Sequence, residues 1–239
     1  MRDGFAVIPV LDLRHGQVVQ ARRGERASYA PIETPLAKGS APEAVAAGIL
    51  AAFPAPLLYV ADLDAIIDGA APDRAALKAI LAAIARVCPD TALWVDAGFR
   101  DPEATAAFLD AGLGRPVLGS ESQRDADLVR ALADRAVLSL DSRGDARLGP
   151  DALHDDASLW PRDVIVMTLA RVGADAGPDL DGIRDVRGRA PRARVHAAGG
   201  VRGPDDLAAL ARAGAAGALV ATALHDGRLR PEHMKALAG

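Results

Sequence analysis

Cysteine is almost missing. The 239 residues include a single one, Cys88, so no intrachain disulfide can form and a reducing cytoplasm is the expected setting. Aromatic residues are also scarce, at two Trp, two Tyr and four Phe, which leaves little surface on which nucleic-acid bases could stack. The formal charge is −4, so there is no basic surplus to attract nucleic acid or an anionic membrane. No apolar run approaches the roughly 20 residues that cross a bilayer, and the first residues lack the three-part pattern of a secretory leader.

What is present fits a large folded core. Half of the residues are hydrophobic and a quarter are charged. Short apolar runs read as strands at Phe5–Asp12, Leu57–Asp62, Leu93–Val95, Pro116–Gly119, Ala136–Asp141, Asp163–Thr168, Val195–Ala198 and Gly217–Val220. Between and after them, helical patterns fall at Pro42–Ala52, Asp73–Val87, Pro102–Asp110, Ala126–Asp134, Pro150–Ser158, Leu180–Val186, Pro204–Ala213 and Pro231–Ala238. Alternation of this kind gives parallel strands joined by right-handed crossovers. Eight such units in a chain of this length fit an α/β fold, a closed (β/α)8 TIM barrel built as one domain over 1–239. An open doubly wound sheet would carry a glycine-rich dinucleotide turn after its first strand, and Asp12-Leu-Arg-His-Gly16 is not one.

The chain also repeats itself. Asp96-Ala-Gly-Phe-Arg-Asp-Pro102 aligns with Ala198-Gly-Gly-Val-Arg-Gly-Pro204, so that Gly98, Arg100 and Pro102 each find a partner 102 residues on. Two half-barrels follow, at about 1–122 and 123–239, with Asp12 and Asp141 in equivalent positions across the barrel mouth. The stretch 14–40 lacks helical periodicity and is too long for a passive connector, so it reads as a functional or lid-forming loop.

In a parallel barrel the C-terminal strand ends line the pocket. They supply Asp12, Asp62 or Asp64, Asp96, Gly119-Ser120, Asp141, Thr168, Gly199-Gly200 and Ala221-Thr222. Asp12 and Asp141 follow their strands directly with no helix starting at once, which favours chemistry over capping; for Asp62, Asp64 and Asp96 both readings stand. Arg143, just past Asp141, is a further pocket candidate. Glycine pairs let backbone N–H groups approach an anion, so Gly199-Gly200 with Ala221-Thr222 reads as a phosphate site. Its mate would be Gly98 with Gly119-Ser120, although Asp96 beside it would repel a phosphate. The histidines show no ligand spacing, so no metal is expected. Arg22-Arg23 could close over an anion or form a solvated charge pair.

The segments Ile8-Pro-Val-Leu-Asp-Leu-x-x-Gly-x-Val-Val, Ser139-Leu-Asp-Ser-Arg-Gly and Ala197-Ala-Gly-Gly-Val resemble the HisA/HisF half-barrel family over essentially the whole chain. That resemblance implies an isomerase of histidine biosynthesis that turns an aminoaldose phosphate, ProFAR or a related compound, into an aminoketose phosphate by an Amadori rearrangement. It implies no cofactor, a small phosphorylated metabolite as the partner, and a monomer or small homo-oligomer. Carried over by motif, Asp12 is the general base, Asp141 the general acid, and Thr168 assists at the sugar. Gly119, Ser120, Gly199 and Gly200 serve two phosphates. Departures sit at Ala221-Thr222, where the family carries Gly-Arg, at Asp96-Ala97-Gly98, at Leu169-Ala-Arg-Val-Gly173, and at Gln20. They resemble a divergent HisA-like branch of archaea and methylotrophs, which implies as alternatives a step in methanopterin- or methanofuran-type one-carbon carrier synthesis, or a silent metabolite- or partner-binding barrel.

Overall fold

The computed structural model describes residues 4–20 and 29–233. Eight parallel strands form the barrel: β1 (Ala6–Arg14), β2 (Leu57–Asp62), β3 (Ala92–Asp96), β4 (Arg115–Gly119), β5 (Val137–Arg143), β6 (Asp163–Thr168), β7 (Arg194–Ala198) and β8 (Gly217–Val220). Neighbours in sequence are neighbours in the sheet, and β8 returns to β1 with Ala6 opposite Gly217 and Pro9 opposite Val220. The sheet is therefore closed, and every edge that an open sheet would expose is paired.

Strict alternation separates two cores. Ile8, Tyr59, Trp94, Val117, Val137, Ile165, Ala198 and Leu219 pack inside the barrel. Their neighbours Leu11, Val60, Val95, Leu118, Leu138, Val164, Val195 and Ala218 face outward into the layer covered by helices. The helices form as their patterns dictate. Arg74–Val87 buries Leu77, Ile80 and Ile84 along one stripe, opened by Asp73, whose carboxylate accepts the Ala75 and Ala76 N–H groups. Pro102–Asp110 starts with Pro in its first turn and Asp101 accepting from Ala104 N–H at 2.8 Å.

Several boundaries differ from expectation. β1 and β5 do not stop at their aspartates but run on into antiparallel hairpins with Gln17–Gln20 and Ala146–Arg147. In the first, His15 and Gly16 both take positive φ (50° and 71°), the turn that matches strand twist in a two-residue hairpin. Part of the 14–40 stretch is thus a sheet extension, with Ala30–Pro31 as its third strand. An additional helix, Leu63–Asp68, begins directly after β2, and the Leu180 helix continues to Arg189. Residues 231–233 are helical; the remainder of the helix expected to 238 lies outside the described residues, as does Arg22-Arg23. No helix among the described residues is long and apolar enough to cross a membrane.

Candidate active site

Alternation decides which strand-end residues enter the barrel mouth. Continuing the inward rows brings Asp12 from β1, Tyr59 and Ala61 from β2, Asp96 from β3, Asp141 from β5, Met167 from β6 and Ala198 from β7 into the wall of one cavity. Loops add Glu121, Arg171, Asp175, Gly199, Gly200, Ala221, Thr222 and Arg228. The space amounts to about 960 Å³ with its open mouth included.

Asp141 is held from several sides. It is 4% exposed, and Ser139 Oγ donates to its Oδ1 at 2.6 Å. Glu121 N–H donates to Oδ2 at 3.1 Å, and Ser120 Oγ lies 3.4 Å from the same oxygen. Burial raises its carboxyl from 3.8 to about 7; the Ser139 bond works against that shift, and the charge of Asp96 works with it. Near neutral pH this group holds its proton for much of the time, as an acid catalyst requires. Asp12 lines the same cavity, and its charge acts on Tyr59 together with those of Asp96 and Asp141. The Tyr59 hydroxyl donates to Asp96 Oδ2 at 3.4 Å, and burial followed by the three carboxylates holds the phenol well above its usual range. Asp12 and Asp141 therefore line one cavity.

Other expected residues stand elsewhere. Asp62 points out of the barrel, where its carboxylate caps the following helix through Ala65 N–H at 3.2 Å and takes Asp73 N–H at 2.7 Å. Asp64 accepts the His15 N–H at 2.6 Å and faces His15 Nδ1 at 3.2 Å, bracing the first hairpin. Arg143 is exposed in the second hairpin. Thr168 has the outward parity, opposite to Met167, and its hydroxyl donates to Asp179 Oδ2 at 3.2 Å. None of these four lines the cavity.

The expected phosphate residues divide. Gly199 and Gly200, with φ of 94° and 86°, line the wall beside Ala221 and Thr222. A side chain at Gly200 would collide with the Gly177 carbonyl, so this approach needs glycine. In the other half, Gly98 N–H is bonded to Asp96 Oδ1 at 3.0 Å. A β-carbon at Gly119 would lie 3.0 Å from Asp141 Oδ2 and 3.4 Å from Asp96 Oδ2. Ser120 Oγ accepts the Asp141 N–H at 2.8 Å. Gly98 and Ser120 thus bond the aspartates, and Gly119 leaves room for their carboxylates, uses that spacing alone does not reveal.

Sequence reasoning missed Tyr59, Glu121, Ser139, Asp175 and Arg228, and met Arg171 only within the departure at 169–173. Counting back by two along each strand, from Ala61 and from Asp141, would have found Tyr59 and Ser139, because each shares its strand's inward row. The loop residues carry no such signal. Arg228 meets Asp175 at 2.6 Å and Asp226 at 2.7 Å, which ties the loops after β6 and β8 together over the mouth.

A parallel barrel whose mouth gathers Asp12, Asp96 and Asp141, with glycine turns beside them, has the layout of a small-molecule enzyme pocket. The comparison with known proteins narrows that class. The profile of the histidine biosynthesis protein family matches residues 6–230, and the chain belongs to that family. A relative from Halobacterium salinarum is 33% identical over 240 residues, spanning 94% of this chain and 93% of its own. One from Stenotrophomonas maltophilia is 32% identical over 248 residues, covering 94% and 96%. One from Natronomonas pharaonis is 30% identical and covers 99% and 100%. Each is named as an imidazole-4-carboxamide isomerase whose substrate carries two 5-phosphoribosyl units, ProFAR isomerase. These names support the isomerase expectation and lend none to one-carbon carrier synthesis.

Proposed function

We propose that this protein is an Amadori-type isomerase acting on a phosphorylated sugar–amine, with Asp141 as general acid and Asp12 as general base. Asp141 gives its proton to the ring oxygen of the aminoaldose; the C1–O bond breaks as the nitrogen lone pair forms a C=N bond. Asp12 removes the proton from C2, leaving an enaminol. Asp12 returns its proton to C1 while the C2 hydroxyl gives its proton back to Asp141 and becomes a carbonyl, which yields the aminoketose. Both acids are restored, and the step is an isomerisation with no net loss of atoms or electrons. The observation that carries this reading is the buried Asp141, its carboxyl raised to about 7 in the cavity that Asp12 also lines. Gly199, Gly200, Ala221 and Thr222 are assigned to a substrate phosphate, with Arg171 and Arg228 in the same wall.

The half-barrel duplication belongs to the same proposal, and the hairpins that extend both aspartate strands support it. Turnover of ProFAR and of simpler N-ribosylamine 5-phosphates by the purified chain tests the chemistry. Asp12→Asn and Asp141→Asn should each lower kcat by about 10²–10⁴ while ligand affinity stays within a few-fold. Wild-type rates in both variants would exclude the assignment.

A further inference from the structure

Strand register sets Asp12 on β1 and Asp96 on β3 level with each other, on either side of Ala61. Tyr59 lies two residues before Ala61 on the same inward row, one layer deeper, opposite Val10 and Trp94. Its ring is packed among apolar neighbours at 3% exposure, and the residue lines the cavity. Burial comes first and the charges of Asp96, Asp141 and Asp12 follow in keeping the phenol protonated. Among the described residues its hydroxyl makes one hydrogen bond, donated to Asp96 Oδ2 at 3.4 Å. The single proton is committed there, so the oxygen is left to act as an acceptor.

Among the described strand residues of the cavity wall, Tyr59 alone is polar without being an acid; Val10, Ala61, Met167, Ala198, Leu219 and Val220 are apolar. Asp12 and Asp141 are engaged in proton transfer during the isomerisation, and a sugar that spans them passes the phenol whose charge state both influence.

We propose that Tyr59 is a substrate-binding residue whose hydroxyl oxygen accepts a hydrogen bond from the C2 hydroxyl of the sugar and so turns the C2–H bond toward Asp12. The inference rests on the isomerase reading and deepens it, since C2 is the carbon at which Asp12 acts. A neutral acceptor holds that hydroxyl without adding charge beside three carboxyl groups.

Calorimetric titration of the full chain with ribose 5-phosphate and 2-deoxyribose 5-phosphate, in wild type and Tyr59→Phe, closes a double-mutant cycle on this contact. The wild type should bind the 2-hydroxy sugar about three- to tenfold more tightly, the worth of one hydrogen bond. Tyr59→Phe keeps the packed ring and should bring the two affinities within about twofold of each other. Thermal melts show whether the variant folds, and a merely structural role would weaken both sugars alike and leave their ratio as in the wild type. Equal affinities in the wild type, an unchanged ratio in folded Tyr59→Phe, or failure of both sugars to bind would each overturn the inference. Turnover judges the isomerase reading separately. Absent turnover with the binding preference intact would sink that reading alone, and turnover without the preference would sink this inference alone.

Discussion

At the scale of single residues, position in the strand outweighs residue type. Asp62 and Asp141 both close apolar runs, yet one faces the helices and the other the barrel mouth. Asp141 gives the clearest residue-scale expectation. Its folded-state carboxyl titrates near 7 against 3.8 when unperturbed, so between these values the native state binds the extra proton. Stability therefore falls as pH rises from about 4 to about 7, and the cost is complete above that. Asp141→Asn removes the titration, so its melting temperature relative to wild type should climb across the same window. Ser139→Ala deletes the 2.6 Å bond that favours the ionised form, so the alkaline limb of kcat/KM should move to higher pH. A limb that stays put or moves to lower pH would contradict the role given to Asp141.

At the scale of elements, the loops after the strands divide the work. The loop after β2 is structural: Asp62 takes two backbone N–H groups and so joins Leu63–Asp68 to the start of the next helix. Asp62→Ala should cost about 1–2 kcal/mol of stability in denaturant unfolding and leave kcat of the folded enzyme unchanged. A large kcat loss at unchanged stability would return Asp62 to the site. The loops after β6, β7 and β8 instead build the cavity wall, to which they contribute Arg171, Gly199, Gly200 and Arg228. Strand positions and most helix positions were legible because buried apolar runs and capping residues are local signals. The hairpins beyond Asp12 and Asp141 were less so, because a two-residue turn such as His15-Gly16 is visible only once its register is known.

For the whole molecule, the two ends of the barrel are built for different purposes. Opposite the mouth, Asp163 at the start of β6 takes Arg115 at 2.6 Å and faces His196 Nε2 at 3.3 Å. The Arg115 guanidinium lies 5.9 Å from the centre of the Trp94 ring, which His196 meets edge-on. This network joins β3, β4, β6 and β7 across the barrel floor. Burial pushes the Asp163 carboxyl upward, but the His196 and Arg115 hydrogen bonds and charges outweigh it and bring it to about 2. With a depressed pKa, the group stabilises the fold above 3.8 and loses that contribution as pH falls through about 2. Asp163→Asn should destabilise by about 3 kcal/mol at neutral pH, and the gap from wild type should close in acid. Equal stability at neutral pH would show that the floor network adds nothing.

The chain's local pattern alone settled that strands and helices alternate into a parallel α/β barrel, and that aspartates stand where its mouth must be. Burial and periodicity act between near neighbours, so they are written along the sequence. Only the closed barrel decided that Asp96, Asp141 and Tyr59 crowd one end while Gly199, Gly200, Arg171 and Arg228 hold the other. A carboxyl's charge state and a glycine's partner depend on residues brought together from distant strands, and no stretch of sequence contains that information.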